Sequence, residues 1–415
     1  MVAKPYTWKD GATLEEHSRR KHQIIRQYFA RYIRVRCQLP QQSKFRFAIV
    51  DGFAGGGVYN CGASGSPLIF IEELRATSIE LNLRRANEGM SPLDIECVLI
   101  FNDFDPGAIE ILKQHVAPLL AGIKESEPRL HLEVHYRQQE FENVYAEIRE
   151  FLQYNRVQSV LFNLDQCGNS RVAHETLTDI IASFSSPEIF YTFAIEALIS
   201  FLKKTDPNAL NARLNPIGVD ADSVSNLGLM MNNQAWLGAT ERLVFEAFER
   251  CASYVSPFSI HNPNGWNYWM LHFAKSHRAR QEYNDVLHDN ASTLAHYGRS
   301  GLHMLAYDPQ HEGGLYLFDM KGRDSAKSQL HGDIPRLVSE FGDAVSVADF
   351  YASIYTATPA HTQDIHGVMI ENPDLQVVTA RGGDRGAPHT IRPTDTLRLR
   401  QQRSFSFSTP PSKRR

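Results

Sequence analysis

No run of about 18 apolar residues occurs in the 415-residue chain, so a membrane-spanning helix is not expected. The nearest approach, Ile189 to Leu202, is broken by Thr192, Glu196 and Ser200. The opening MVAKPYTWKDG has no apolar signal core. Cysteine is scarce: Cys37, Cys61, Cys97, Cys167 and Cys251 are odd in number, widely spaced and without a CxxC pair. That excludes a disulfide framework or a structural zinc site and makes the cytoplasm the expected location. Overall positive charge is also missing. The net charge of -4 gives no global attraction to nucleic acid. The 17 histidines are scattered, and His272 and His277 in HFAKSHRAR lack the i, i+4 spacing of a helical metal pair, so no metal is expected.

What is present is ordinary globular material, with 42% hydrophobic and 22% charged residues, and a length that calls for more than one core. Charge is uneven along it. From Gln376 to Arg415 nine Lys and Arg face only Asp384 and Asp395, a local +7 that suits a polyanion contact or a solubilising tail.

Apolar spacing predicts a helix over Thr13 to Gln38. Short buried strands follow at Phe45 to Val50, Ile95 to Asn102, Leu130 to Tyr136, Ser159 to Leu164 and Ile189 to Phe193. Helices at Ser66 to Arg75, Ala108 to Leu120 and Val144 to Gln153 fall between them. The alternation predicts a doubly wound, mostly parallel α/β sheet. Phe258 to His261 and Tyr268 to Phe273, around Asn262-Pro263-Asn264-Gly265, are expected to add an antiparallel pair at its end. Residues 1–300 form this first domain, with a mostly helical insertion at about 205–250 and a connecting segment at 301–330. Residues 331–403 read as helices followed by a basic hairpin, a winged helix-turn-helix, and 404–415 have tail composition.

The chemistry concentrates where the first strand ends. Asp51 is followed by Gly52, Phe53 and then Gly55, Gly56 and Gly57, and glycines let a turn approach a nucleotide without Cβ clashes. The second strand ends in Asp103 and Asp105, carboxylates suited to ribose hydroxyls. An NAD fingerprint wants G-x-G-x-x-G opening directly into a helix. Here the pattern is G-x-x-G-G-G with a long sequel, which fits S-adenosylmethionine (SAM) better, with Asp51 near its methionine amino group. The fourth strand runs into Asp165 and Gln166, the expected catalytic residues, with Asp165 orienting the acceptor or taking its proton; Cys167 has no basic neighbour to activate it. Trp266, Tyr268 and Trp269 suit either base stacking or the core. In the carboxyl-terminal unit Arg381, Arg385 and Arg392 on the wing and Gln363, with Thr362 and His366, on the third helix are the candidate nucleic-acid contacts; a protein-interaction role for the same module is the alternative.

Taken together, KHQIIRQYFARYI, FAIVDGFAGGGVYNCGASGSPL, VLIFNDFDP, LFNLDQCGNS, YTFAIEALISFL and LYLFDMKGRDSAKSQLHGDIP resemble the three-Cys-motif partner (TcmP) family from about Thr13 to Arg400. The resemblance implies a Rossmann-like, class I SAM-dependent methyltransferase domain, a carboxyl-terminal winged helix, and a radical-SAM-like partner bearing three cysteines. It further implies that Asp51, Gly52, Gly55 and Gly57 form the cofactor loop, that Asp103 holds the ribose and that Asp165 faces the acceptor. A nucleic acid substrate and a defence or mobile-element setting suit it. Gln166 and Cys167 stand where amino-methylating enzymes carry prolines, which leaves the acceptor open, and the oligomeric state is not fixed by the sequence.

Overall fold

The computed structural model describes residues 8–166, 171–202, 214–219, 233–260, 268–290, 296–297, 302, 315–316 and 320–400. A seven-stranded sheet organises the first two thirds. Its strands are β1 (Lys44–Asp51), β2 (Asp94–Asn102), β3 (Leu130–Arg137), β4 (Ser159–Leu164), β5 (Ser186–Phe193), β6 (Tyr254–Ile260) and β7 (Tyr268–Ala274), in the order β3-β2-β1-β4-β5-β7-β6. The first five run parallel, while β7 is antiparallel to both β5 and β6. This mostly parallel α/β sheet agrees with the alternation in the sequence, including the antiparallel pair at its end; the expected turn residues Asn262 to Gly265 lie outside the described residues.

β1 shows why the strands read as unbroken apolar runs. Phe47, Ala48, Ile49 and Val50 are all 0% exposed, because helices cover both faces of the sheet. Ala48 and Val50 point to one face, against α4 (Phe141–Tyr154), α5 (His174–Ser183) and α7 (Asn233–Glu249). Phe47 and Ile49 point to the other, against α1 (Glu16–Arg36), α2 (Ser66–Asn87), α3 (Pro106–Ser126) and α8 (His277–Asp289). Burying each such side chain is worth about 1.5–3 kcal/mol, so a polar residue at any of these four positions is costly. The short helix α6 (Ile195–Leu202) leaves β5. Of the expected insertion, α7 lies within the described residues and most of the remainder lies outside them.

The order reverses at β1. Strands β2 and β3 continue to one side and β4 and β5 to the other, which leaves a crevice at the carboxyl ends of β1 and β4, where open α/β sheets bind ligands.

A second core lies beyond the sheet. The two-residue strands β8 (His296–Tyr297) and β9 (Leu315–Tyr316) pair with each other, and α9 (Met320–Glu340) follows. The helix begins at Met320, inside the 301–330 stretch that the sequence suggests is a connector. β10 (Ala344–Ser346), α10 (Val347–Ile354), α11 (Thr362–Glu371), β11 (Leu375–Val378) and β12 (Thr396–Leu399) complete a unit of three helices on a three-stranded antiparallel sheet, β10-β12-β11. Ser346 caps α10, its Oγ accepting the Asp349 N–H at 3.0 Å. Leu330, Ile334, Phe350, Ile365 and Leu397 close the core.

This unit is seated on α8 by polar groups. The fully buried Arg280 donates to the Thr358 carbonyl at 3.4 Å, Asn284 Nδ2 to the same carbonyl at 2.9 Å, and His288 Nε2 to the Pro359 carbonyl at 2.9 Å. Asp285 Oδ1 accepts the Thr362 N–H at the start of α11, also at 2.9 Å. Buried polar groups matched this way fix one relative orientation, because any slip strands several of them without partners.

Candidate functional site

The crevice opens into a cavity of about 830 Å³ lined by residues from the ends of β1, β2, β4 and β5 and from α1. That volume lies in the range of small-molecule and cofactor sites.

Its floor is the glycine turn after β1. Gly52 N donates to the Asn163 carbonyl at 2.9 Å and Ala54 N to the Asn102 carbonyl at 2.8 Å, so the turn is stitched to β4 on one side and β2 on the other. Gly55 at φ +62° and Gly57 at φ +85° are left-handed, the conformation that only glycine adopts freely. A Cβ on Gly55 would meet the Trp8 ring at 2.3 Å. Trp8, from a single helical turn at Trp8–Asp10, packs over the glycines and against Tyr59. Phe53 and Phe141 meet at 6.1 Å and give the cavity an apolar wall.

Asp103 crosses to this turn. Its Oδ2 accepts the Gly55 N–H at 2.8 Å and its Oδ1 accepts the Asp105 N–H at 2.9 Å. Burial pushes the Asp103 carboxyl up, and these two N–H bonds oppose the rise. An ionised carboxylate has about four lone-pair sites, so two remain for a ligand's hydroxyls. Asp105 lines the cavity as well, but one oxygen is committed to the N-terminus of α3, accepting the Gly107 N–H at 2.8 Å.

Asp51 differs from its expected role. It is 0% exposed and does not line the cavity; Ser66, beside it, does. Burial pushes its carboxyl up to about 7, against the opposing pull of the neighbouring Ser66 and Asn163 side chains and of the Phe53 N–H, which donates to Oδ1 at 3.3 Å. A carboxyl that keeps its proton in the fold but loses it near 4 when unfolded makes stability fall as pH rises from about 4 to about 7. The limiting slope is about 1.4 kcal/mol per unit. Asp51→Asn is therefore expected to flatten that part of the profile, as read by urea unfolding across the range. An unchanged slope would show that Asp51 is ionised in the folded chain.

Asp165, directly after β4, lines the opposite wall. Its two oxygens sit 2.5 and 2.6 Å from Lys21 Nζ, and the Lys21 side chain is only 5% exposed. Burial pushes the Asp165 carboxyl up, but the Lys21 ammonium outweighs it and holds the group below the usual carboxylate range. Beside the pair, burial depresses His17 and His22 to about 4, so both are neutral at pH 7. His17 stacks on Tyr268 at 4.7 Å, which places Tyr268 in the cavity wall, whereas Trp269 is core. Trp266 and Cys167 lie outside the described residues.

Gln166 lines the cavity but is 2% exposed and already engaged. Its Nε2 donates to the Tyr191 hydroxyl at 2.6 Å and its Oε1 accepts the Arg171 N–H at 2.8 Å. Both ends of the amide hold structure, so the expectation of a catalytic Gln166 gives way to a positioning role. Lys21, the first residue of the KHQIIRQYFARYI segment, has no role assigned to it from the sequence, yet it is the functional group that α1 contributes. The signal for it is a cation three and four residues before Ile24 and Ile25, on the stripe that should be apolar.

None of the six carboxyl-terminal candidates lines this cavity. Arg381, Arg392 and Gln363 are exposed. Arg385 instead forms a two-pronged ion pair, at 2.9 and 3.0 Å, with Asp395, which is 1% exposed and also accepts the Arg392 N–H. It holds the loop between β11 and β12, with Nε and Nη2 committed to that pair. His366 bonds to the Tyr351 hydroxyl of α10 and the Thr362 N–H to Asp285 of α8, so these two groups are engaged within the protein, whereas Gln363 is exposed. Among the described residues no group of three or more His, Cys, Asp or Glu is arranged to hold a metal ion. No helix among them is long and apolar enough to cross a membrane.

No family model matches the chain, and no curated protein matches it significantly.

Proposed function

We propose that the chain is a Rossmann-like, class I SAM-dependent methyltransferase acting on a nucleic acid or a nucleic-acid-associated substrate. The observation that carries this reading is Asp103, which bridges the glycine turn and the end of β2 and keeps acceptor capacity towards the cavity. Two features favour SAM over NAD. The dinucleotide order 3-2-1-4-5-6 is interrupted here by antiparallel β7 between β5 and β6. The glycine turn also does not open into a helix, since α2 starts only at Ser66.

The residues present fit the cofactor. Asp103 would take the ribose hydroxyls, the Gly52 to Gly55 backbone would admit the nucleoside, and Phe53 with Phe141 would pack against the base. When bound, SAM supplies an electrophilic methyl on sulfur. The protein's contribution is alignment and exclusion of water. Asp165, clamped by Lys21, is a weak base, so it would accept a hydrogen bond from the nucleophile without taking its proton. With His17 and His22 neutral and of low basicity, that favours an amine or ring nitrogen over an alcohol as acceptor. Transfer of labelled methyl from SAM to DNA or RNA tests this. Asp165→Ala is expected to abolish transfer and keep SAM binding; full transfer by the variant would remove Asp165 from the mechanism.

The carboxyl-terminal unit, read as a winged helix, would bring the acceptor through its exposed Arg381 and Arg392. Removing both should weaken nucleic-acid affinity at all sequences and reduce the salt slope by roughly 2, about one per phosphate contact. An unaltered slope would mean that this hairpin does not touch phosphate. By the same resemblance, a three-cysteine radical-SAM-like protein is the proposed partner.

The closed Lys21–Asp165 pair also favours a second reading, a SAM-binding scaffold that transfers no methyl group. It predicts SAM binding with no acceptor methylated by any preparation.

A further inference from the structure

A second cavity, of about 250 Å³, lies at the other edge of the sheet, where β4 and β5 begin. At about 30 Å³ per water this is room for roughly eight, the scale of an amino acid.

Its floor and mouth have different chemistry. Tyr32 is 3% exposed, lines the cavity, and its hydroxyl has no hydrogen-bond partner, an expensive arrangement for a buried polar group. Beside it the buried Glu188 carboxylate takes hydrogen bonds from the Tyr28 hydroxyl at 2.5 Å and the His272 ring at 3.2 Å. The floor thus offers acceptor capacity and one unused hydroxyl. The mouth is cationic. Arg36 is held by the hydroxyls of Ser186 and Ser159, and Lys275 Nζ by the Phe184 carbonyl at 2.8 Å, contacts that cancel no charge. Arg278 is neutralised by Glu282 at 2.6 Å, but it stands in the first turn of α8, whose N-terminus adds further positive potential. A simple anion would be repelled by Glu188, and a simple cation by Arg36 and Lys275. A ligand that carries both signs satisfies the two ends together.

We propose that this cavity binds a small zwitterion of amino-acid size, its carboxylate at Arg36 and Lys275 and its ammonium at Glu188 and the Tyr32 hydroxyl. The site is separate from the cofactor cavity, yet α1 borders both, through Lys21 at one and Tyr32 and Arg36 at the other.

The test is calorimetric titration of the full chain with each of the twenty L-amino acids, with acetate and ethylammonium as single-charge probes. At least one amino acid is expected to bind saturably, while neither single-charge probe matches it. Tyr32→Phe and Arg36→Gln should each weaken that binding at least tenfold, and Asp103→Asn should leave it unchanged. Tyr32→Phe removes a single oxygen, and its unfolding midpoint shows whether the fold is kept. Binding by none of the twenty would overturn the proposal. So would acetate binding as tightly as the best amino acid, indifference to Tyr32→Phe and Arg36→Gln, or a response lost with Asp103→Asn, which would belong to the cofactor cavity.

Discussion

Lys21→Met is expected to destabilise the fold by about 3 kcal/mol and to abolish methyl transfer. Removing one partner of a largely buried ion pair leaves the other charge uncompensated, a loss of about 3–5 kcal/mol in well-buried cases. The low end applies because the Asp165 side chain keeps 23% exposure to water. The pair also sets a pH signature. In the wild type the Asp165 carboxyl is lower in the fold than in the unfolded chain, so its contribution is complete above the unfolded value near 4 and is lost as pH falls through the folded one. In Lys21→Met burial dominates, the carboxyl rises, and this contribution changes sign. Urea unfolding at pH 7 and at pH 4 reads both effects. The double variant Lys21→Met/Asp165→Leu should recover most of the stability and none of the transfer, since it removes the stranded charge along with the group proposed to orient the acceptor. A single variant as stable as the wild type would mean that Lys21 and Asp165 are not paired in solution.

Gly55→Arg is expected to reduce SAM affinity at least a hundredfold. Two causes combine. The φ of +62° is strained for any L side chain by about 1–2 kcal/mol, and the added Cβ lies 2.3 Å from the Trp8 ring, so the turn, Trp8 or both must move. Either movement disturbs the Gly55 N–H bond to Asp103, and the long side chain enters the space assigned to the cofactor. Gly62→Arg separates strain from obstruction. Gly62 has a similar φ of +79°, and a Cβ added there would meet nothing within 4 Å, so this variant should carry comparable backbone strain while binding SAM normally. Equal loss of binding in both variants would assign the effect to general destabilisation of the loop.

The parts of this molecule that are legible in the sequence are those whose physics is local. The apolar pattern predicts β4 at Ser159 to Leu164 and α11 at Thr362 to Glu371, and both have these bounds. Two-sided burial writes the strand as a continuous apolar run, and Asn372-Pro373 stops the helix. α8 escapes the same reasoning because the face it turns to the second unit is polar: Arg280, Asn284 and His288 are buried and donate to the Thr358 and Pro359 carbonyls, and hydrophobic periodicity is blind to that. α3 runs on to Ser126 past the expected end at Leu120, with Pro118 inside the helix.

The site follows the same division. The glycine turn, Asp103 and Asp105 meet at one cavity, because strand ends in a parallel sheet converge at one edge. What each side chain touches there depends on other elements. Asp51, expected beside the cofactor, lies beneath the turn; Gln166, expected to act, is engaged at both ends; and Asp165 is met by Lys21, 144 residues away. Arg385 reads as a phosphate contact in the sequence, yet its partner Asp395 lies only ten residues on; the pair becomes evident only when the loop between β11 and β12 closes.

Calorimetric titration of the wild-type chain with SAM, alongside Asp103→Ala, tests the central claim most directly. The predicted result is one saturable site in the wild type and an affinity lower by about 10²–10³-fold in the variant, as loss of two hydrogen bonds to a charged group implies. Absence of binding by a folded wild-type chain to SAM and to its demethylated product, with and without nucleic acid, would contradict the account.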